Sequence, residues 1–297
     1  WRLRKGACRS SKTWLQVVRS PFLLSKVNSA GDLLMAPTDR KIRTSALASL
    51  HTFLSSRQIS SSLTTLDILK LWKGLFFALW MCDRAIPQQT LCAELANLIN
   101  VLPRHAVVPW LRGFWATMAR EWTSIDVLRM EKFLLLVRRV VASGFEWMKK
   151  GDEGKKKKSG KETAWDMQRV DNILDLLNEW PFSLEDEARV EQGTEKEELV
   201  PQTIPVGLRL HVLDIWVDEA EKVGLLEADD VEASKILQRL IDQVDALEQA
   251  TTRPAVRIRS KDSLGDERLP GNRKSAVEED QTTTDGGDGG DWDGFED

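Results

Sequence analysis

Residues Thr64-Thr-Leu-Asp-Ile-Leu-Lys-Leu-Trp-Lys-Gly-Leu-Phe-Phe-Ala-Leu-Trp-Met-Cys82 decide the fold. Leu69, Trp72, Phe76, Leu79 and Trp80 recur at three- and four-residue spacing and line one stripe of a helix. Leu71, Leu75 and Phe77 cover much of the remaining surface. A helix apolar on nearly all sides is a central one, with other helices packed around it. Thr64 followed by Asp67 makes a capping box, so the spacing predicts a helix over 65–82.

The flanking sequence continues in the same period. Thr38 or Asp39 can cap a helix to about 55, with Ile42, Ala46, Leu50 and Phe53 or Leu54 on one face. Pro87 suits a first turn and opens a helix to about 100, with Leu91, Leu95, Leu98 and Ile99 inward. Pro109 opens another over 106–121, and Thr123 with Asp126 caps a long one over 124–149. Further helices are expected at 162–180, 206–224 and 229–250. No segment alternates with period two. The fold class is therefore all-α: stacked helical hairpins in a solenoid of the HEAT or armadillo type, although no internal self-similarity is strong enough to define repeats.

Composition divides the chain. Residues 1–150 carry 23 Lys+Arg and 9 Asp+Glu, a net +14, while 151–297 carry 19 and 37, a net −18. A basic half implies a polyanionic or acidic partner and an acidic half a solvated or regulatory role. Residues 1–37 read as a disordered or misannotated extension; the chain begins with Trp1, as a fragment or a gene model without its true start would. Residues 1–31 hold seven basic and no acidic side chains, which also resembles a mitochondrial transit peptide, the extension being the preferred of the two. Residues 38–250 form the helical domain, with a basic part 38–149, a Lys-rich linker 150–161 and an acidic helical part 162–250. From Thr251 to Asp297 there is no periodicity. The last 22 residues contain nine acidic and no basic side chains, and 251–297 reads as a disordered acidic tail.

Several chemistries are excluded or disfavoured. Twelve Trp and no Tyr rule out a tyrosine acid, base or nucleophile. Cys8, Cys82 and Cys92 contain no C-x-x-C pair, which argues against a disulfide framework or a cysteine zinc site. The longest apolar run, Leu71 to Cys82, is interrupted by Lys73 and is too short to span a bilayer. Gly154 to Lys161 has five residues between its glycines, not the four of a phosphate-binding loop, and no preceding strand. Asp291-Trp-Asp293-Gly294 begins like a calcium loop but lacks the bidentate Glu at its twelfth position. His211 and Asp214 can hydrogen-bond on one helix, yet no nucleophile motif accompanies them, and a structural histidine is the better reading. No catalytic, metal or cofactor site is expected, and no membrane or small-molecule substrate.

What remains is cationic. Arg129, Lys132, Arg139 and Lys150 fall within roughly 80° on the helix 124–149, opposite Phe133, Val137, Val140 and Val141. Such a stripe can contact phosphates or an acidic partner. Lys155, Lys156, Lys157 and Lys158 read as a nuclear-localisation or nucleic-acid patch. Trp72 and Trp80 belong to the core, whereas Trp110, Trp115 and Trp122 lie near Arg112 and Arg120 and are equally compatible with a mixed interface.

Three passages also carry a resemblance. Leu69 to Asp83, Leu111-Arg-Gly-Phe-Trp-Ala-Thr-Met-Ala-Arg-Glu-Trp122 and Ile125 to Arg139 resemble the eukaryotic ribosomal-RNA-processing protein 1 family, the nucleolar Nop52-type proteins. Val206-Gly-Leu-Arg-Leu-His-Val-Leu-Asp-Ile-Trp-Val-Asp-Glu219 looks like that family's Gly-Leu-x-x-His-x-x-Asp-Ile segment. The likeness covers about 38–250. It departs at residues 1–31 and at the acidic end, where the family often carries a Lys-rich tail. The resemblance implies an α-helical, non-enzymatic assembly factor of nucleolar pre-ribosomes, required for pre-rRNA processing toward the large subunit. Its partners would be pre-rRNA and other assembly factors. A helical-repeat adaptor of another nuclear complex is the alternative, and an enzyme built around His211 or His105 has no support in the residues.

Overall fold

The computed structural model describes residues 40–55, 63–150, 164–184, 203–227 and 229–272. Among these residues there are nine α-helices: α1 (Arg40–Ser55), α2 (Thr65–Trp80), α3 (Ala85–Asn97), α4 (Arg104–Glu121), α5 (Val127–Trp147), α6 (Met167–Glu179), α7 (Val206–Lys222), α8 (Val231–Ala250) and α9 (Pro254–Leu264). Two single turns of 3₁₀ helix, Leu98–Asn100 and Trp122–Ser124, follow α3 and α4. The described residues contain no strand, only one isolated antiparallel bridge between Lys149 and Trp165.

Alternate helices pack together. α2, α4, α6 and α8 form one layer, and α3, α5, α7 and α9 the other. Each connection therefore joins a helix of one layer to a helix of the next, the stacked-hairpin solenoid predicted from the periodicity. Closest approach of α2 to α4 depends on Gly113, where a Cβ would sit 2.4 Å from Ile68 Cγ2. Trp72 then reaches across and donates its Nε1–H to the Trp110 carbonyl at 2.9 Å. Its ring lies 4.9 Å from that of Trp110 and 5.0 Å from that of Phe114, and Phe76 stacks on Phe133 at 4.5 Å. One continuous cluster of buried apolar side chains runs from Leu47 on α1 to Leu269 beyond α9.

Side-chain caps open four of the helices, α2, α5, α6 and α8. The capping box of α2 is present, with Thr64 Oγ1 accepting from Asp67 N and Asp67 Oδ2 accepting from Thr64 N, both at 3.2 Å. Other starts differ. α4 begins at Arg104 and keeps Pro109 inside it, because Pro109 lies on the exposed face. α5 is capped by Asp126 itself, which accepts from Arg129 N at 3.1 Å, while Thr123 belongs to the 3₁₀ turn that buries Trp122. Asp166 caps α6 in the same way, so Trp165 precedes that helix. The expected caps Thr38 and Asp39 lie outside the described residues, as do residues 1–37.

Two expectations are corrected. Trp110, Trp115 and Trp122 are all buried and belong to the core, because α4 is covered by α2 on one side and α6 on the other. The chain is also folded beyond Thr251. Pro254 opens α9, whose Val256 and Ser260 are buried against α7 and α8. Trp216 donates to Ser263 Oγ at 2.6 Å, and Ser263 in turn donates to the Leu213 carbonyl at 2.9 Å. A helix held by one valine, one serine and a hydroxyl relay leaves little apolar period to read. Residues 273–297 lie outside the described residues.

Candidate functional site

The cationic positions singled out from the sequence do not form one free stripe. Lys132 is only 4% exposed. Its Nζ donates to the carbonyls of Trp80 at 2.7 Å and Cys82 at 2.9 Å, with Asp83 Oδ1 at 3.4 Å. These are carbonyls at the end of α2 and just beyond it, left without helical partners, where the helix dipole also favours a positive charge. Lys132 thus caps α2 from α5 and is withdrawn from any phosphate. Burial pushes its pKa down, against the pull of Asp83.

Arg129 pairs with Asp126 and lies 5.2 Å above the Trp80 ring, and Arg120 binds Glu121 at 3.0 Å. Arg112 holds Glu179 of α6 through two bonds, Nε to Oε1 at 2.7 Å and Nη2 to Oε2 at 2.6 Å. That fork raises the guanidinium pKa. Arg139 is exposed on α5, and no carboxylate of the described residues pairs with it. Lys150 is exposed at the base of the Lys-rich linker, where its N–H donates to the Ala164 carbonyl and Asp166 N donates to Met148 O, both at 2.9 Å. Lys155, Lys156, Lys157 and Lys158 lie outside the described residues. The described residues on either side of them are held in place: Trp165 Nε1 donates to Asp230, and Arg169 donates to the carbonyls of Trp147 and Lys149.

The acidic half supplies partners for the basic half. Asp166 accepts from Arg104 at 2.6 Å. Glu219, itself buried, accepts from Arg138 at 2.6 Å and pairs with Lys222 at 2.7 Å. Asp218 lies between Arg138 and Arg268, and these two cations hold its carboxyl below the usual range despite the opposing cost of burial. Asp214 pairs with Arg259, and Asp171 with Arg239. The charge division seen in the sequence is thus partly closed across successive helices of both layers. Arg138, Arg259 and Arg268 escape a sequence reading, because only the fold brings these partners together.

The histidines are scattered. His51 and His105 are exposed on α1 and α4. His211 Nε2 contacts the Leu134 carbonyl at 2.9 Å, and burial lowers its pKa below the ordinary value. Its helical neighbour Asp214 is held by Arg259 instead. Cys82 and Cys92 are buried thiols, and burial, reinforced by Cys82, pushes Cys92 up to about 12. A neutral buried thiol is inert. No group of three metal-ligating side chains occurs among the described residues, and none of their helices is long and apolar enough to cross a membrane.

Comparison with known proteins places this surface in a family. A family model described as nucleolar protein Nop52 matches residues 34–292. The chain is 30% identical over 194 residues to ribosomal RNA processing protein 1 homolog B of Homo sapiens, covering 64% of this chain and 22% of that protein. It is 29% identical over 196 residues to homolog A of Mus musculus, covering 65% and 34%. It is 25% identical over 239 residues to the Dictyostelium discoideum homolog, covering 79% and 45%. The chain thus spans less than half the length of these relatives. With a family model matched over most of its length, the chain belongs to the Nop52 family of nucleolar proteins.

Proposed function

We propose that this protein is a non-enzymatic scaffold of nucleolar pre-ribosomal particles, needed for pre-rRNA processing in the direction of the large subunit. Membership of a nucleolar family whose relatives are named ribosomal RNA processing proteins supports the process. One observation carries the choice of scaffold over catalyst. The buried and half-buried titratable groups of the solenoid bind neighbouring helices or backbone carbonyls, as Lys132, Arg138, Glu219 and His211 do. Among the described residues, each of these four groups is thereby engaged in holding helices together. Two layers of parallel helices instead offer long faces on which other macromolecules can be arranged.

Contacts to the particle, to pre-rRNA or to other assembly factors, run through Arg139 and Lys150, which are exposed, and through the run Lys155–Lys158 of the Lys-rich linker. Arg112, Arg120 and Arg129, each paired with a carboxylate, are secondary contacts. No cofactor or small-molecule substrate is required. Depletion is expected to accumulate large-subunit rRNA precursors, and a variant with His51, His105 and His211 changed to Gln should restore processing. Purified protein that cleaves pre-rRNA unaided, losing that activity through one substitution in a folded variant, would overturn the scaffold.

A further inference from the structure

α9 and the turns that follow it, residues 254–272, cover the end of the solenoid with little apolar contact of their own. Val256 and Leu269 are their buried apolar side chains, whereas α8 alone buries six, from Ala233 to Leu247. Ile258, which could have packed, is exposed. Ser260 is fully buried instead, and its hydroxyl has no hydrogen-bond partner among the described residues, an arrangement that costs stability. What this segment covers is apolar. Trp216 of α7 is fully buried against it, with Nε1 donating to Ser263 Oγ at 2.6 Å.

Arginines supply the rest of the attachment. Arg259 donates to Asp214 of α7 at 2.7 Å. Arg268 donates to Asp218 at 2.8 Å and Glu221 at 2.7 Å, both on α7, and to Asp266 at 2.7 Å. Asn272 Nδ2 donates to the carbonyls of Leu264 at 2.7 Å and Asp266 at 2.8 Å, so the turns after α9 are tied back to it as one piece. At the other end, Arg253 N donates to Thr251 Oγ1 at 3.2 Å and Arg257 Nη2 to the Thr251 carbonyl at 2.6 Å. Thr252 and Arg253, both exposed, form the joint to α8. The pairs to α7 are open to water: Arg259 and Asp214 are 46% and 40% exposed, Arg268 and Glu221 35% and 52%. Pairs of that kind are individually weak and are screened by salt.

Detachment strands few polar groups. Asp218 keeps Arg138, and Glu219 keeps Arg138 and Lys222, so two α7 carboxylates retain a cation. Asp214, Glu221 and the two strap arginines pass to water, and the Ser260 hydroxyl gains a partner there. Val256, Leu269 and the Trp216 ring oppose opening, because each is wetted by it. A small apolar contact and a set of screened ion pairs thus share the attachment, the pattern of a segment that opens locally before the rest of the fold. We propose that residues 254–272 are an ion-paired strap that swings off α7 as a unit about Thr252 and Arg253 and uncovers Trp216. Its closure is set by the charges around Arg259 and Arg268 more than by core packing.

Hydrogen exchange and thiol labelling of the full chain test this. Amide exchange across 254–264 should run about tenfold faster in about 0.5 M than in about 0.05 M NaCl, as several surface pairs screened together would give, while exchange in α2, α5 and α8 stays level. In Val256→Cys the new thiol should react with Ellman's reagent with the same salt dependence, above the background of the parent chain. Arg259→Ala/Arg268→Ala should exchange fast at low salt and lose most of that dependence. The charge swap Arg259→Asp/Asp214→Arg should restore slow exchange relative to Arg259→Asp alone. Exchange in 254–264 that ignores both salt and the loss of the two arginines would overturn the strap, since apolar packing would then hold it. Exchange in α8 that rises in parallel with α9 would overturn it too, because the end of the solenoid would then open as a whole. The strap requires no pre-ribosome, so either result leaves the scaffold reading untouched.

Discussion

Lys132 and Arg139 lie on one side of α5, two turns apart, and the fold puts them to opposite uses. The helical period groups Lys132 with Arg129 and Arg139 on a cationic stripe, whereas the fold buries it. What the period cannot show is that the end of α2 arrives at that level with carbonyls free of helical partners, and that no carboxylate of the described residues pairs with Arg139. Lys132→Ala leaves the Trp80 and Cys82 carbonyls without this donor and should cost about 1–3 kcal/mol, read from urea unfolding. Arg139→Ala, at an exposed position, should stay within about 0.5 kcal/mol. Trp72→Ala, which removes a buried ring and its bond to Trp110, should cost about 3–5 kcal/mol. His211 predicts a pH dependence. Burial lowers its folded pKa below the unfolded value of 6.5, so between the two the unfolded chain binds more protons and stability rises with pH. The contribution of neutral His211 is complete above 6.5 and is lost as pH falls from there through the folded pKa. His211→Gln should flatten that part of a stability–pH curve, and an unchanged slope would remove His211 as its source.

α9 shows what a helical period can and cannot reveal. α2 was legible because nine of its residues are buried on all sides, and its capping box is local to four residues. α9 buries only Val256 and Ser260 within its span, and its attachment depends on Trp216, a residue 47 positions away. No window of sequence contains both partners. The same reason hid the role of Asp126, where two acceptable caps three residues apart left the choice to the burial of Trp122. Ser263→Ala should leave Trp216 Nε1 without an acceptor in a closed site and cost about 1–3 kcal/mol. The loss should appear as earlier hydrogen exchange in both α9 and the C-terminal part of α7. Exchange confined to α9 would mean that the relay does not couple the two helices.

Across the molecule, the separation of charge into a basic and an acidic half was plain in the composition, and the all-helical architecture was plain in the period. The mutual pairing of those halves was not, because Arg104 with Asp166, Arg112 with Glu179 and Arg138 with Glu219 meet only after the hairpins stack. Pairs as exposed as Arg112–Glu179 add little stability each; their larger effect is to subtract cations from the surface offered to a polyanion. This bears on how binding to a pre-ribosome should respond to salt. Each phosphate contact by a lysine or arginine contributes about −0.7 to −0.9 to the slope of log K against log salt concentration. If all 23 basic residues of 1–150 made such contacts, the slope would be far steeper than about six contacts give. With Arg139, Lys150 and Lys155–Lys158 as the principal contacts, the slope should lie near −4 to −5, the sum for about six contacts at those values. Reversing Arg139 and Lys155–Lys158 to Glu should flatten it toward −1 and release the protein from particles, with thermal unfolding unchanged. Reversing Arg112 should instead weaken the α4–α6 contact and barely alter the slope. Equal effects of the two reversals on the salt slope would refute this choice of contacts.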